Sequence, residues 1–191
     1  MEEDMLIRCT AKLLKEMGLT KGDIAYIESS PSLLGDWYAN LFFLSRKKNL
    51  IFTNARTLFT FISFEVNRSQ ISNIGELFRR ELGKVLLDED FDGATIQRII
   101  NECKEVHIAR TQDKSVLGIM VDHVKNVRWM IEEREGGWNP CNLSEIMKQL
   151  NRTPLLTKEF TYSIEELKRI LGEQYVLNNM IKFGQEGYYA F

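Results

Sequence analysis

The sequence predicts an α+β domain, with a small, mostly antiparallel sheet built on a central β-hairpin and packed by about five or six helices. Three observations carry that expectation. Residues 34–44 and 50–54 form the densest block of aromatic and β-favouring residues in the chain, joined by the basic segment Ser45-Arg46-Lys47-Lys48-Asn49. Runs with the helical spacing of three and four surround this block. Candidate strands cluster early and candidate helices late, which favours an α+β arrangement over a doubly wound sheet. With 191 residues, 44% of them hydrophobic, the chain is long enough to bury a sizeable core. Residues 1–172 read as one domain, and 173–191 as a tail docked on the domain or on a partner.

In chain order, Met5-Leu6-Ile7-Arg8-Cys9 is a short apolar run that reads as a strand. Thr10 is placed to cap a helix over residues 11–17, which Gly18 ends. Residues 19–33 contain Gly22, Ser29, Ser30 and Pro31 and read as an irregular approach to the hairpin. Both hairpin arms are apolar on both faces, so the sheet should be covered twice or curl. Phe42, Phe43 and Phe52 are the positions whose loss should unfold it, at roughly 1.5–3 kcal/mol for each buried side chain. The aromatic run over residues 58–64 reads as a third strand, with a short helix as the competing reading.

After Asn67, apolar residues from Ile71 to Leu86 recur at helical spacing. Asn73 and Glu76 match a capping box, in which each side chain satisfies an unpaired amide at the helix start. Residues 94–103 make a second helix with Asp92 at its positive end. Residues 105–110 read as one more strand, and 115–133 as the longest helix, broken by Gly136-Gly137. A helix follows over 143–150. Another opens at Ser163, where Glu166 completes a capping-box match.

Bulk properties exclude several functional classes. A net charge of −2 argues against a protein dominated by unspecific attraction to nucleic acid or membranes. Three cysteines, Cys9, Cys103 and Cys141, lack metal-like spacing and suggest unpaired thiols in a reducing compartment. No charged leader followed by an apolar stretch, no long apolar span and no phosphate-cradling glycine motif is present, so the expectation is a cytoplasmic protein without membrane association or cofactor. Neither His107 nor His123 sits in a nucleophile or metal motif, and His123, on the inward side of its helix, reads as a hydrogen-bonded structural histidine.

Three separated blocks carry a resemblance. Leu34-Gly35-Asp36-Trp37-Tyr38-Ala39-Asn40-Leu41 with Phe52-Thr53-Asn54, then Ser115-Val116-Leu117-Gly118 with Asp122, then Leu150-Asn151-Arg152-Thr153-Pro154 together resemble a family of uncharacterised bacterial proteins. The resemblance implies a bacterial, single-domain, intracellular protein. It transfers no catalytic residue.

Polar residues inside the hairpin arms supply a candidate ligand site: Asp36, Tyr38, Asn40, Asn54 and Arg56. Side chains alternate along a strand, so turn length decides whether these residues meet. A three-residue tip, Arg46 to Lys48 or Lys47 to Asn49, puts Asn40 and Asn54 on one side of the sheet. A two- or four-residue tip centred between Lys47 and Lys48 puts them on opposite sides. From Trp37 to Phe64 there are four basic residues and no acidic one, so Arg46, Lys47 and Lys48 are candidates for contact with an anion or a nucleic acid, alongside the plainer reading of a solvated tip. Two functions follow from different classes. The first is a non-catalytic binding or interaction module with a protein partner or a second copy. The alternative is an enzyme or ligand-binding protein for a phosphorylated or nucleic-acid-like anion beside the hairpin.

Overall fold

The computed structural model describes residues 5–131, 143–154 and 162–172. Gly136-Gly137, Cys141 and the tail at 173–191 lie outside the described residues. The sheet has five strands, β1 (Met5–Cys9), β2 (Trp37–Leu44), β3 (Lys47–Asn54), β4 (Thr60–Ser63) and β5 (Val106–Arg110), in the order β4-β3-β2-β1-β5. Seven α-helices accompany them among the described residues: α1 (Ala11–Met17), α2 (Arg68–Ser72), α3 (Ile74–Asp88), α4 (Gly93–Glu102), α5 (Lys114–Trp129), α6 (Leu143–Asn151) and α7 (Ser163–Leu171).

The α+β class and the central place of the hairpin are as expected, since β2 is the middle strand. The sheet itself is mixed rather than mostly antiparallel. β1 pairs in parallel with both β2 and β5, while β2–β3 and β3–β4 are antiparallel. The cause lies in the connections. A chain that leaves β1 through α1 and returns along the sheet must re-enter in the same direction, and the three helices between β4 and β5 do the same. Only β3 runs against the other four strands.

Both faces are covered. On the first, Trp37, Phe52, Phe61 and Phe78 form an aromatic cluster with ring centroids 4.9–5.6 Å apart. Around it pack α1, α3, α4 and α7 through residues such as Leu13, Leu82, Ile99 and Leu167. On the second, Tyr38, Phe42, Ile51 and Ile62 meet Val116, Met120 and Val127 of α5 and Ile146 and Leu150 of α6. Double coverage is what arms apolar on both faces require. Phe42 and Phe52 are buried as expected, but Phe43 is 40% exposed. It lies opposite Lys48 near the hairpin tip, beyond the reach of β1, and the Lys12 ammonium sits over its ring, 4.7 Å from the centroid.

Several predicted caps are assigned differently by tertiary contacts. Gly18 ends α1 in the left-handed conformation, but the Thr10 hydroxyl donates to Asn40 Oδ1 at 2.8 Å instead of capping the helix. The capping box sits at Asn67 and Gln70, because a short helix, α2, precedes the long one. Asn73 marks the joint between the two. Ser163 is the first residue of α7, and its hydroxyl donates to Asn151 Oδ1 at 2.9 Å.

Asn151 is the hub of that last contact. Its amide accepts from the Thr60 N–H at 2.8 Å and donates to the Thr60 carbonyl at 2.8 Å, so one side chain satisfies both peptide groups of a residue in β4. Unpaired buried peptide groups cost about 1–3 kcal/mol each. Asn151→Leu is therefore expected to lose about 2–4 kcal/mol of stability, measurable by urea unfolding, with Asn151→Gln failing to restore it.

Candidate functional site

The hairpin turn settles how the predicted ligand set is distributed. Leu44 pairs with Lys47, which leaves a two-residue tip of Ser45 and Arg46, both at positive φ (46° and 65°). That is the left-handed pair a tight hairpin uses, because its twist matches the flanking strands. Asn40 consequently faces Ile51 and Asn54 faces Trp37, so the two asparagines point to opposite sides of the sheet.

Each member of the set is engaged with the chain's own loops. Asn54, fully buried, donates to the Leu34 carbonyl and accepts from the Arg56 and Thr57 amides, tying the entry to β2 to the exit from β3. Arg56 donates to the Leu33 carbonyl at 2.6 Å. The Tyr38 hydroxyl accepts from the Asp113 N–H ahead of α5. Asp36 accepts from Arg8 Nε at 2.5 Å and from the Ser30 N–H at 2.6 Å. The hairpin tip is likewise partly neutralised: Lys48 pairs with Glu16 at 2.6 Å, and Lys47 lies 3.9 Å from Glu65.

A different surface has the geometry of a ligand site. β1 and β5 are parallel neighbours, and the chain leaves their carboxyl ends toward opposite faces of the sheet. α1 joins the first core cluster and α5 the second. Divergent connections leave a crevice between the two strand ends, the usual ligand position in open sheets with parallel strands. Two adjoining depressions of about 510 and 490 Å³ occupy it and share Lys21, Ile24 and Arg110. Lys15 and Thr20 lie on one side, Tyr26 and Glu28 on the other. Lys15, Lys21 and Arg110 form no ion pair among the described residues, in contrast to the paired lysines of the hairpin tip.

The floor of the crevice is made by Arg8, whose side chain is 2% exposed. Besides Asp36, its guanidinium donates to the carbonyls of Ile27, Glu28 and Arg110. The Ala25 N–H donates to the Ile108 carbonyl of β5, so residues 25–28 are held along one wall. Arg8 carries a signal in the sequence, as the one charge in an apolar strand, which must find a partner if buried. Lys21, Tyr26 and Arg110 carry none, because only the fold brings them to one end of the sheet.

Nucleophile chemistry has little purchase among the described groups. Burial pushes the Cys9 thiol well above its ordinary value and Cys103 up to about 12, the latter with Glu102 adding to the rise. Neither is a thiolate at neutral pH. His123 is buried and its Nδ1 lies 3.0 Å from Thr60 Oγ1, which donates to the Leu58 carbonyl and so is left to accept. Burial pulls this imidazole down to about 4, with Asp122 opposing the shift. Among the described residues, no three His, Cys, Asp or Glu side chains are gathered where they could hold a metal ion. No helix there is long and apolar enough to cross a membrane.

The family model described as a domain of unknown function, DUF6933, matches residues 6–166. This agrees with the uncharacterised family that the three sequence blocks resemble. The chain matches no curated protein at a significant level.

Two measurements test the interior of the site. Removing one partner of a buried ion pair strands the other charge, at about 3–5 kcal/mol. Arg8→Met and Asp36→Leu should each destabilise by about that amount, and the double variant by clearly less than their sum in denaturant unfolding. His123 has a folded-state pKa below its unfolded one, so the unfolded chain binds a proton that the native state refuses. Stability is then full above about pH 6.5 and falls as pH drops toward 4, by about 1.4 kcal/mol per pH unit within that window. His123→Gln should flatten the slope between pH 6.5 and 5.5.

Proposed function

The chain belongs to the DUF6933 family of domains of unknown function, and from that premise we propose that it is a non-catalytic binding module that takes a small anion in the crevice at the carboxyl ends of β1 and β5. One observation carries the reading. Two parallel strands whose connections diverge end beside Lys15, Lys21 and Arg110, which have no ion-pair partners among the described residues. A concave site of this volume is in the range for a small-molecule ligand. Cations beside low-dielectric walls attract anions more strongly than the same charges on an open surface.

The non-catalytic part of the reading is supported by the protonated, buried thiols and by the buried neutral His123. The anionic part keeps the ligand class expected from the sequence and moves it from the hairpin to the crevice. The hairpin residues serve this site from behind, since Asp36 orients Arg8 and Arg8 holds the wall at residues 27–28.

Isothermal titration calorimetry with ribose 5-phosphate tests the proposal. Binding is expected for the unaltered protein, with at least about a tenfold loss in a Lys21→Ala/Arg110→Ala variant and weakening at higher salt. A Lys47→Ala/Lys48→Ala variant at the hairpin tip should bind as before. Absent binding, or binding lost only in the hairpin variant, would sink the assignment.

A further inference from the structure

Within the crevice, cations lie beside an exposed aromatic ring. The cations Lys21 and Arg110 line both depressions, as does Ile24, whereas Tyr26, Ala25 and Ala109 line only the larger. Tyr26 is 92% exposed, the most exposed large apolar side chain among the described residues. Its backbone is not loose: the preceding residue donates to β5, and the two following carbonyls accept from Arg8. A ring held out from a fixed backbone at the lip of a cationic cavity has the features of a stacking surface. Every nucleobase offers a face for such a surface, whatever its identity. Glu28 lines the same depression. A carboxylate there would repel a ligand that was charged throughout, but it can accept from the hydroxyls of a ribose, the role an acidic residue takes in dinucleotide-binding folds.

We propose that the ligand of this crevice is a mononucleotide, its phosphate beside Lys21 and Arg110, its base against Tyr26 and its ribose hydroxyls on Glu28. This rests on the anion-binding reading above and adds the nucleoside. No bond is made or broken. A single nucleotide is favoured over a nucleic acid strand because, among the described residues, the crevice offers one exposed ring and few unpaired cations.

Calorimetric titrations with AMP, GMP and ribose 5-phosphate separate the two levels. AMP or GMP is expected to bind at least about tenfold more tightly than ribose 5-phosphate. Tyr26→Ala should remove that advantage while leaving ribose 5-phosphate binding unchanged, and Arg110→Ala should weaken all three. Because Tyr26 is exposed, the variant should keep the parent's melting temperature, which verifies its fold. If the sugar phosphate binds and the nucleotides bind no better, or if Tyr26→Ala leaves the nucleotide advantage intact, the nucleotide inference fails and the anion site survives. If none of the three binds, both fail. A single-stranded oligonucleotide that binds more tightly than any mononucleotide, with steep salt dependence, would overturn the commitment to a mononucleotide.

Discussion

The buried guanidinium of Arg8 is the interaction on which the arrangement of this molecule depends. An ion of that kind is costly to remove from water, and its partners must compensate at close range. Here the compensation comes from three separate stretches of chain: the Asp36 carboxylate at the entry to β2, the carbonyls of Ile27 and Glu28, and the carbonyl of Arg110 at the end of β5. Each alone is a local contact. Together they define the path of the long connection between α1 and β2, which has no helix or strand of ordinary length to define it. The crevice exists because that connection is held at its wall and not collapsed across the strand ends.

Much of the fold was legible in the sequence because periodicity reports burial directly. The strand at 5–9, the helix ending at Gly18, the hairpin arms and the sequence of later helices all follow from spacing of apolar residues and from glycine's tolerance of positive φ. Strand direction was not legible. Residues 5–9 look the same whether their neighbours run parallel or antiparallel, and the connection alone decides. Capping residues mislead for a related reason. Thr10, Asn73 and Ser163 have the right side chains at the right spacing, yet long-range partners claim two of them and an extra helical turn displaces the third.

The candidate site was legible only in part. The expectation that buried asparagine must bond something was sound, and Asn54 does so through loop backbone. The hairpin register could not be read, because Ser45 and Arg46 are not the glycine or asparagine that usually announces a two-residue turn. The basic tip drew notice by its local charge, while its neutralising partners Glu16 and Glu65 are separated from it by sequence or by another strand. Lys21 and Arg110 are about ninety residues apart in the chain, and no spacing rule connects them.

The contact between Asn151 and Thr60 has a consequence for how this protein can meet others. A strand at the border of a sheet ordinarily presents unpaired peptide groups that invite a further strand, from another copy or from an extended peptide. At Thr60 the amide of Asn151 already occupies those groups, in the manner of a neighbouring peptide bond. On the opposite border, the Ala25 N–H occupies the carbonyl of Ile108. Each margin of the sheet is thus engaged at one of these positions by the chain itself. A strand added in register across Thr60 or Ile108 would have to displace α6 or the residue 25 segment there, so these two contacts act against edge-to-edge pairing.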